Sequence, residues 1–426
     1  MPTNHDIAVR LFLQLSVILL TCQISSRVFH YLGQTRVVSE MIAGVLLGPS
    51  FLGLIAPDAQ EFLFPKTLTL ALGGSTIDII HPSMTILFGL SQLGLVLYMF
   101  LIGLQFNVGM LSEHIKEASL LSLSGILAPL LLGGGLGFLL STNNSLFPQT
   151  IVPWQAALFM SSAMVITAFP MLARIIYESG LTNSKIGTLA ISAAAFDDAV
   201  AWAMLAIILA TSKNSPVLIL MALGGTLVYV ITMMFVGRPL FRLFSQATAA
   251  NKGVTPEIMI ALLFTLMLSA WFTDLVRIYA IFGAFMLGAV MPRGVFAKQI
   301  SGFIEYLNVT LLLPMFFVYS GLNTQIALLA QSTLIGITII TIVIAFICKG
   351  GACLLATRIG GSTWREAGLI GSLMNARGLM ELILANIGLD NNIITPALFT
   401  ILVLMAIVTT VAASPLFRLL SARQNS

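Results

Sequence analysis

The sequence predicts an all-α polytopic membrane protein, and three observations predict it. Of 426 residues, 58% are hydrophobic and only 8% charged, with a mean hydropathy of +1.02. A soluble domain carries roughly 25% charged residues, so this charge is too sparse to solvate a compact surface. The apolar residues come in runs of about 20, the length that crosses a bilayer as a helix. Gly (35), Met (20) and Pro (16) are spread through the chain. Membrane bundles use small residues for close packing and accept breaks where protein lines a cavity. Length alone would suggest two or three soluble domains at roughly 150 residues each, but composition overrides it.

Taken in order, about thirteen spans follow. Their limits are about 7–29, 37–56, 84–105, 117–140, 154–177, 186–211, 217–237, 256–273, 278–291, 303–322, 332–356, 365–387 and 395–420. The first run has no basic n-region and no small-residue cleavage site, so it reads as a helix rather than a leader. With the N-terminus outside and the C-terminus cytoplasmic, fourteen of the 20 Lys and Arg fall inside. Lys66, Lys213, Arg277 and Arg10 fall outside, and Lys349 and Arg377 lie within spans. That is the bias of the positive-inside rule, and it favours an odd number of spans. The longest outside loop, about 57–82, carries Asp58, Glu61 and Asp78 against Lys66 and reads as a solvated loop or a weak cation funnel.

Other chemistries find little support. The net charge of +4 is scattered among loops and forms no nucleic-acid patch. Cys22, Cys348 and Cys353 sit in apolar stretches as small core residues. The four histidines form no metal-ligand pair at helical spacing, and no cofactor is expected.

Charge at bilayer depth costs roughly 2.5–3.5 kcal/mol per residue on insertion scales. Nearly every acidic residue falls at a loop or helix end. Five ionisable residues do not: Asp197 and Asp198 in the sixth span, Lys349 in the eleventh, and Arg377 and Glu381 in the twelfth. Neighbours on a helix point about 100° apart, so the two aspartates cannot share one partner in the same way. The natural division sets one against a fixed cation, for which Lys349 is the candidate, and the other toward a cavity. Burial disfavours the charged form of any such group, which suits proton carriage. The alternative is an ion pair that only fixes helix packing.

Two spans read as interrupted. The fifth contains Pro170 with Ser161, Ser162 and Thr167 nearby. The twelfth has Gly371 and Gly378 flanking Asn375 and Arg377. Broken helices in corresponding positions of two halves point to a transporter's ion site. Spans 1–6 and 8–13 would then be two inverted six-helix repeats, with discontinuous spans five and twelve crossing. Arg377 and Glu381, four residues apart, would balance the exposed helix ends or handle the ion directly. Gly44–Gly48 and the LLGGGLG run at 131–137 read as packing faces rather than phosphate loops.

At these residues the sequence resembles the monovalent cation:proton antiporter-2 family, whose membrane part is a sodium/proton exchanger domain of the KefB type. The matching stretches are TRVVSEMIAGVLLGPSFLG (35–53), LGLVLYMFLIGLQFN (93–107), VITAFPMLARIIYESGL (165–181), AAAFDDAVAW (193–202), LLLPMFFVYSGLNT (311–324) and MNARGLMELI (374–383). The resemblance implies one exchanger domain over 1–426. Its scaffold and dimer part would be about 1–112 and 213–324, and its moving core about 113–212 and 325–426. It implies a homodimer, Asp198 as the carboxylate that alternates between cation and proton, and Asp197 at a position that is Asn or Asp in the family. An Asp-Asp pair with a lysine such as Lys349 implies electrogenic exchange. Thr167 would help coordinate the Na+ or K+, and Arg377 and Glu381 would brace. Potassium-efflux relatives often append a nucleotide-binding domain. None is visible here, so regulation by such a domain is not expected.

The expectation is a Na+ or K+/proton antiporter in a plasma (inner) membrane or an energised internal membrane. A potassium-selective efflux channel or a K+/H+ exchanger of the same fold is the alternative. An intramembrane aspartyl protease needs carboxylates from two helices, and a serine protease needs an embedded histidine base, so enzymes are disfavoured.

Overall fold

In a computed structural model, the described residues are 3–31, 34, 36–72, 75–105, 115–168, 172, 176, 181, 184–212, 224–225, 227–276 and 280–422. The helices in order are α1 (Asn4–Tyr31), α2 (Arg36–Leu47), α3 (Leu52–Ile55), α4 (Pro57–Leu63), α5 (Pro82–Gln105), α6 (Ile115–Leu140), α7 (Pro153–Val165) and α8 (Lys185–Ser212). They continue with α9 (Leu227–Ala250), α10 (Pro256–Leu275), α11 (Ala280–Val290), α12 (Val295–Leu307) and α13 (Leu313–Leu322). The last are α14 (Ser332–Phe346), α15 (Ala352–Ile359), α16 (Trp364–Met374), α17 (Leu379–Asp390) and α18 (Pro396–Ala422). Over the described residues nine helices combine the length and hydropathy needed to cross a membrane, and α8 is 28 residues long. The chain is a multi-pass helical membrane protein.

Three details differ from the sequence expectation. The 57–82 segment is no plain loop: β1 (Thr67–Leu72) and β2 (Ser75–Ile80) pair antiparallel, Thr67 opposite Ile80. Alternating Thr and Leu before Gly73-Gly74, then β-branched residues after it, make a hairpin pattern. The seventh helix runs on to Ala250 through a π-helical turn at Met233–Gly237, so Arg238 and Arg242 are helical. Basic side chains let a helix outlast its apolar stretch by reaching toward water. The tenth begins at Val295, with another π-helical turn at Asn308–Leu312.

The chain divides into two compact units. The first holds residues 1–20, 58–107 and 213–319. Its centre is the crossing of α5 and α11, where glycine meets glycine. A Cβ on Gly103 would fall on the Phe285 carbonyl, and one on Gly288 on the Phe100 carbonyl. Beside it the Tyr229 hydroxyl bonds Ser269 and reaches the Gly283 carbonyl at 3.0 Å. The second unit holds residues 21–57, 108–212 and 320–426. Here the stripe Gly133, Gly134 and Gly137 lets α6 lie directly on α7, a Cβ on Gly137 coming within 2.5 Å of the Ala156 carbonyl. Gly44 and Gly48 likewise meet the backbone of Gly321. The expected packing faces are therefore seen as such, and they bring α6 and α7 to the interrupted segments.

Candidate functional site

All described site residues lie in the second unit. Helix α7 begins with a proline at its first position, where no amide donor is needed. It ends at Val165, because Ile166 turns extended with ψ 129°. That end leaves carbonyls without intrahelical donors. Two buried cations take them. Arg377 Nη1 donates to Ala163 O at 2.6 Å and Nη2 to Met164 O at 3.0 Å. Lys349 Nζ donates to Val165 O at 2.5 Å. Positive charge at a helix C-terminus is the favourable sign.

The twelfth span is broken as expected. Helix α16 stops at Met374 and α17 restarts at Leu379, after Gly378 with φ 156°. Glu381 falls in the first turn of α17, the favourable place for an acid. The two breaks meet: Ala168 N donates to Ala376 O at 2.9 Å. Thr410 of α18 pins the second break. Its hydroxyl accepts from Arg377 N at 3.0 Å and lies 2.7 Å from the carbonyls of Arg377 and Ala406.

Asp197 and Lys349 are fully buried and paired, Oδ2 to Nζ at 2.5 Å. Ser122 of α6 donates to Asp197 Oδ1, and Lys349 also donates to Gly125 O at 3.1 Å. The three ammonium protons therefore have three acceptors: Asp197, Gly125 and Val165. Lys349 sits in a π-helical turn, Ile347–Gly351, between α14 and α15. Such turns are frequent at functional sites.

The structure thus brings Asp197, Lys349, Arg377 and Glu381 into one region around the breaks. Arg377 and Glu381 stand 3.7 Å apart, close but beyond a hydrogen bond, and among the described residues neither Glu381 oxygen has a donor. The Thr167 hydroxyl and Asn375 Oδ1 are also buried, with no partner among the described residues. Asp198 belongs to α8, but its side chain lies outside the described residues, as does all of Pro170. The fifth-span break begins before Pro170, at Ile166. Sequence reasoning missed Ser122, Thr410 and the acceptor carbonyls. Glu40, near the start of α2, is buried and paired with Arg36 at 2.6 Å. Among the described residues no cluster of His, Cys, Asp or Glu forms a metal site.

Joined half-helices beside a buried charge pair, within a multi-pass bundle, define the class of secondary transporters. The chain belongs to the sodium/hydrogen exchanger family, whose transmembrane model matches residues 16–421. A Synechocystis relative, Na(+)/H(+) antiporter NhaS4, is 37% identical over 390 residues, 90% of each chain. Cation/H(+) antiporter 18 of Arabidopsis thaliana is 34% identical over 95% of this chain, and K(+)/H(+) antiporter 1 of Saccharomyces cerevisiae 30% over 98%. The chain spans 48% and 47% of those two longer proteins. The solved structure of the sodium proton antiporter MjNhaP1 from Methanocaldococcus jannaschii shares the fold, with TM-score 0.67, 15% identity and coverage of 98% and 99%. The resemblance to cation:proton antiporters of the second group is borne out, and the family is one of transporters.

Proposed function

We propose that the protein exchanges Na+ or K+ for protons, with cation and proton competing for the carboxylate of Asp198. The observation that carries this reading is the fully satisfied Asp197–Lys349 pair at the end of α7. Asp197 is already neutralised. Asp198, about 100° further round the helix, does not share that position and remains to hold a transported charge. A dehydrated cation needs oxygen ligands, and the Thr167 hydroxyl at the break, which has no partner among the described residues, supplies one. Arg377 and Glu381 hold the half-helix ends.

In this reading residues 113–212 and 325–426 move as the core, about 1–112 and 213–324 form the scaffold and homodimer part, and the core's step exposes Asp198 alternately to each side of the bilayer. Exchange is electrogenic in this reading, as the resemblance implies for an Asp-Asp pair with a lysine such as Lys349. The N-terminus faces outward and the C-terminus the cytoplasm, in a plasma (inner) membrane or an energised internal membrane.

The test uses proteoliposomes with an imposed pH gradient, offered Na+, K+ or Li+ with the membrane potential clamped or free. Cation-driven proton flux that vanishes in a folded Asp198→Asn variant is the expected result. Wild-type exchange by that variant would overturn the assignment, and single-channel currents would replace antiport by a potassium-selective channel.

A further inference from the structure

The Asp197–Lys349 pair does not stand alone. It is seated on one face of α6, and both partners touch that helix. Ser122 donates to Asp197 Oδ1, and one turn later Gly125 O accepts from Lys349 at 3.1 Å. Residues three apart share a helix face. Ser122 is itself buried. Gly125 is the residue that lets the ammonium reach its carbonyl. A Cβ there would lie 3.3 Å from both Asp197 Oδ2 and Lys349 Nζ, and 3.1 Å from Cys353 Sγ.

We propose that Ser122 is a positioning residue of the exchange site, keeping the Asp197–Lys349 pair hydrogen-bonded through its changes of protonation. The reason is the chemistry of a hydroxyl. It holds one proton and two lone pairs, and it rotates. Toward a carboxylate it donates. A proton arriving from Lys349 lands on the facing Oδ2, and Oδ1, then the carbonyl oxygen of the acid, still accepts from Ser122. Should the proton pass from Lys349 to Asp197 during the cycle, Ser122 stays bonded in both states. Among the described residues, the groups facing Asp197 are Lys349 from the π-helical turn, Ser122 from α6, and the Cys353 thiol of α15 near Gly125. Alanine at 122 leaves one buried carboxylate oxygen without its donor, and a hydrogen bond to a charged group is among the stronger ones.

The transport part of this inference rests on the antiport reading, so the test has two arms. In proteoliposomes, Ser122→Ala should displace the pH midpoint of exchange by about one unit, and Ser122→Thr should restore it. Ser122→Cys, similar in volume but a weak donor, should fall between and serves if alanine impairs folding. In purified protein, Ser122→Ala and Asp197→Asn should be coupled in melting temperature, so that the double variant melts above the sum of the two single losses. A wild-type pH midpoint in Ser122→Ala, or additive melting temperatures, would overturn the proposal. Absence of cation-driven flux in the wild type would sink the antiport reading, and the melting cycle would still decide the role of Ser122.

Discussion

Arg377 Nη1 lies 2.6 Å from the Ala163 carbonyl, so the charge on one interrupted span closes the helix of the other. The guanidinium fork reaches Met164 O and Ala345 O as well. Arg377→Ala would strand those carbonyls and remove from Glu381 its one paired cation among the described residues. The expected loss is about 3–5 kcal/mol, the usual result of halving a buried ion pair. Arg377→Lys keeps the charge but not the fork, and should recover only part of it. Thermal unfolding in detergent measures both. A lysine variant as stable as wild type would show that charge alone matters.

Lys349→Ala leaves Asp197 buried with Ser122 as its one side-chain donor among the described residues. It should destabilise strongly, and adding Asp197→Asn should return much of the loss, because the stranded charge goes with it. Additive losses in the double variant would mean that the two residues act separately, contrary to their 2.5 Å contact.

The charges of this region were legible in the sequence and its wiring was not. Asp197, Lys349, Arg377 and Glu381 stand out because ionisable groups are rare in apolar runs. Ser122 does not, since SLLSLSG offers three serines on one helix and only packing selects one. The carbonyls of Ala163, Met164 and Val165 are invisible in principle: every residue has one, and which are orphaned depends on where α7 stops. The span pattern was readable from hydropathy, as α5, α6, α10 and α18 show to within a few residues. The hairpin was lost because its alternation sits in a segment judged by polarity. The π-helical turns leave no mark, because they add a residue without changing composition.

His81 stands just before α5 and caps it. Its Nδ1 accepts from Ser83 N at 3.2 Å and lies 2.9 Å from Ser83 Oγ, which in turn accepts from Gln14 at 3.2 Å. A protonated Nδ1 cannot accept. Burial first, then the Arg10 charge, hold the imidazole pKa below its ordinary 6.5. Asp58 and Glu61 line the same cavity, about 590 Å³, without reversing that direction. The unfolded chain therefore binds this proton more tightly. The His81 contribution is absent above pH 6.5, and stability falls as pH drops from there through the lowered folded value. His81→Asn, which caps without titrating, should flatten this part of the melting profile. An unchanged acid slope would clear His81 of the role.

Glycines separate by what surrounds them. Gly288→Ala would put a methyl onto the Phe100 carbonyl and should cost about 1–3 kcal/mol or prevent assembly of the first unit. Gly135→Ala meets nothing within 4 Å and should be neutral or gain about 0.5–1 kcal/mol from helix propensity. Equal melting temperatures would contradict the crossing of α5 and α11.

The five residues Ile347–Gly351 hold one more than a regular turn would. Everything after them is rotated by about 100° from where an unbroken helix would put it. Excising a single residue there would leave the span apolar and easier to wind, yet would dial the amine of Lys349 away from its acid. Selection for a steadier helix would thus part the two charges, and the awkward winding is the setting on which the pair depends.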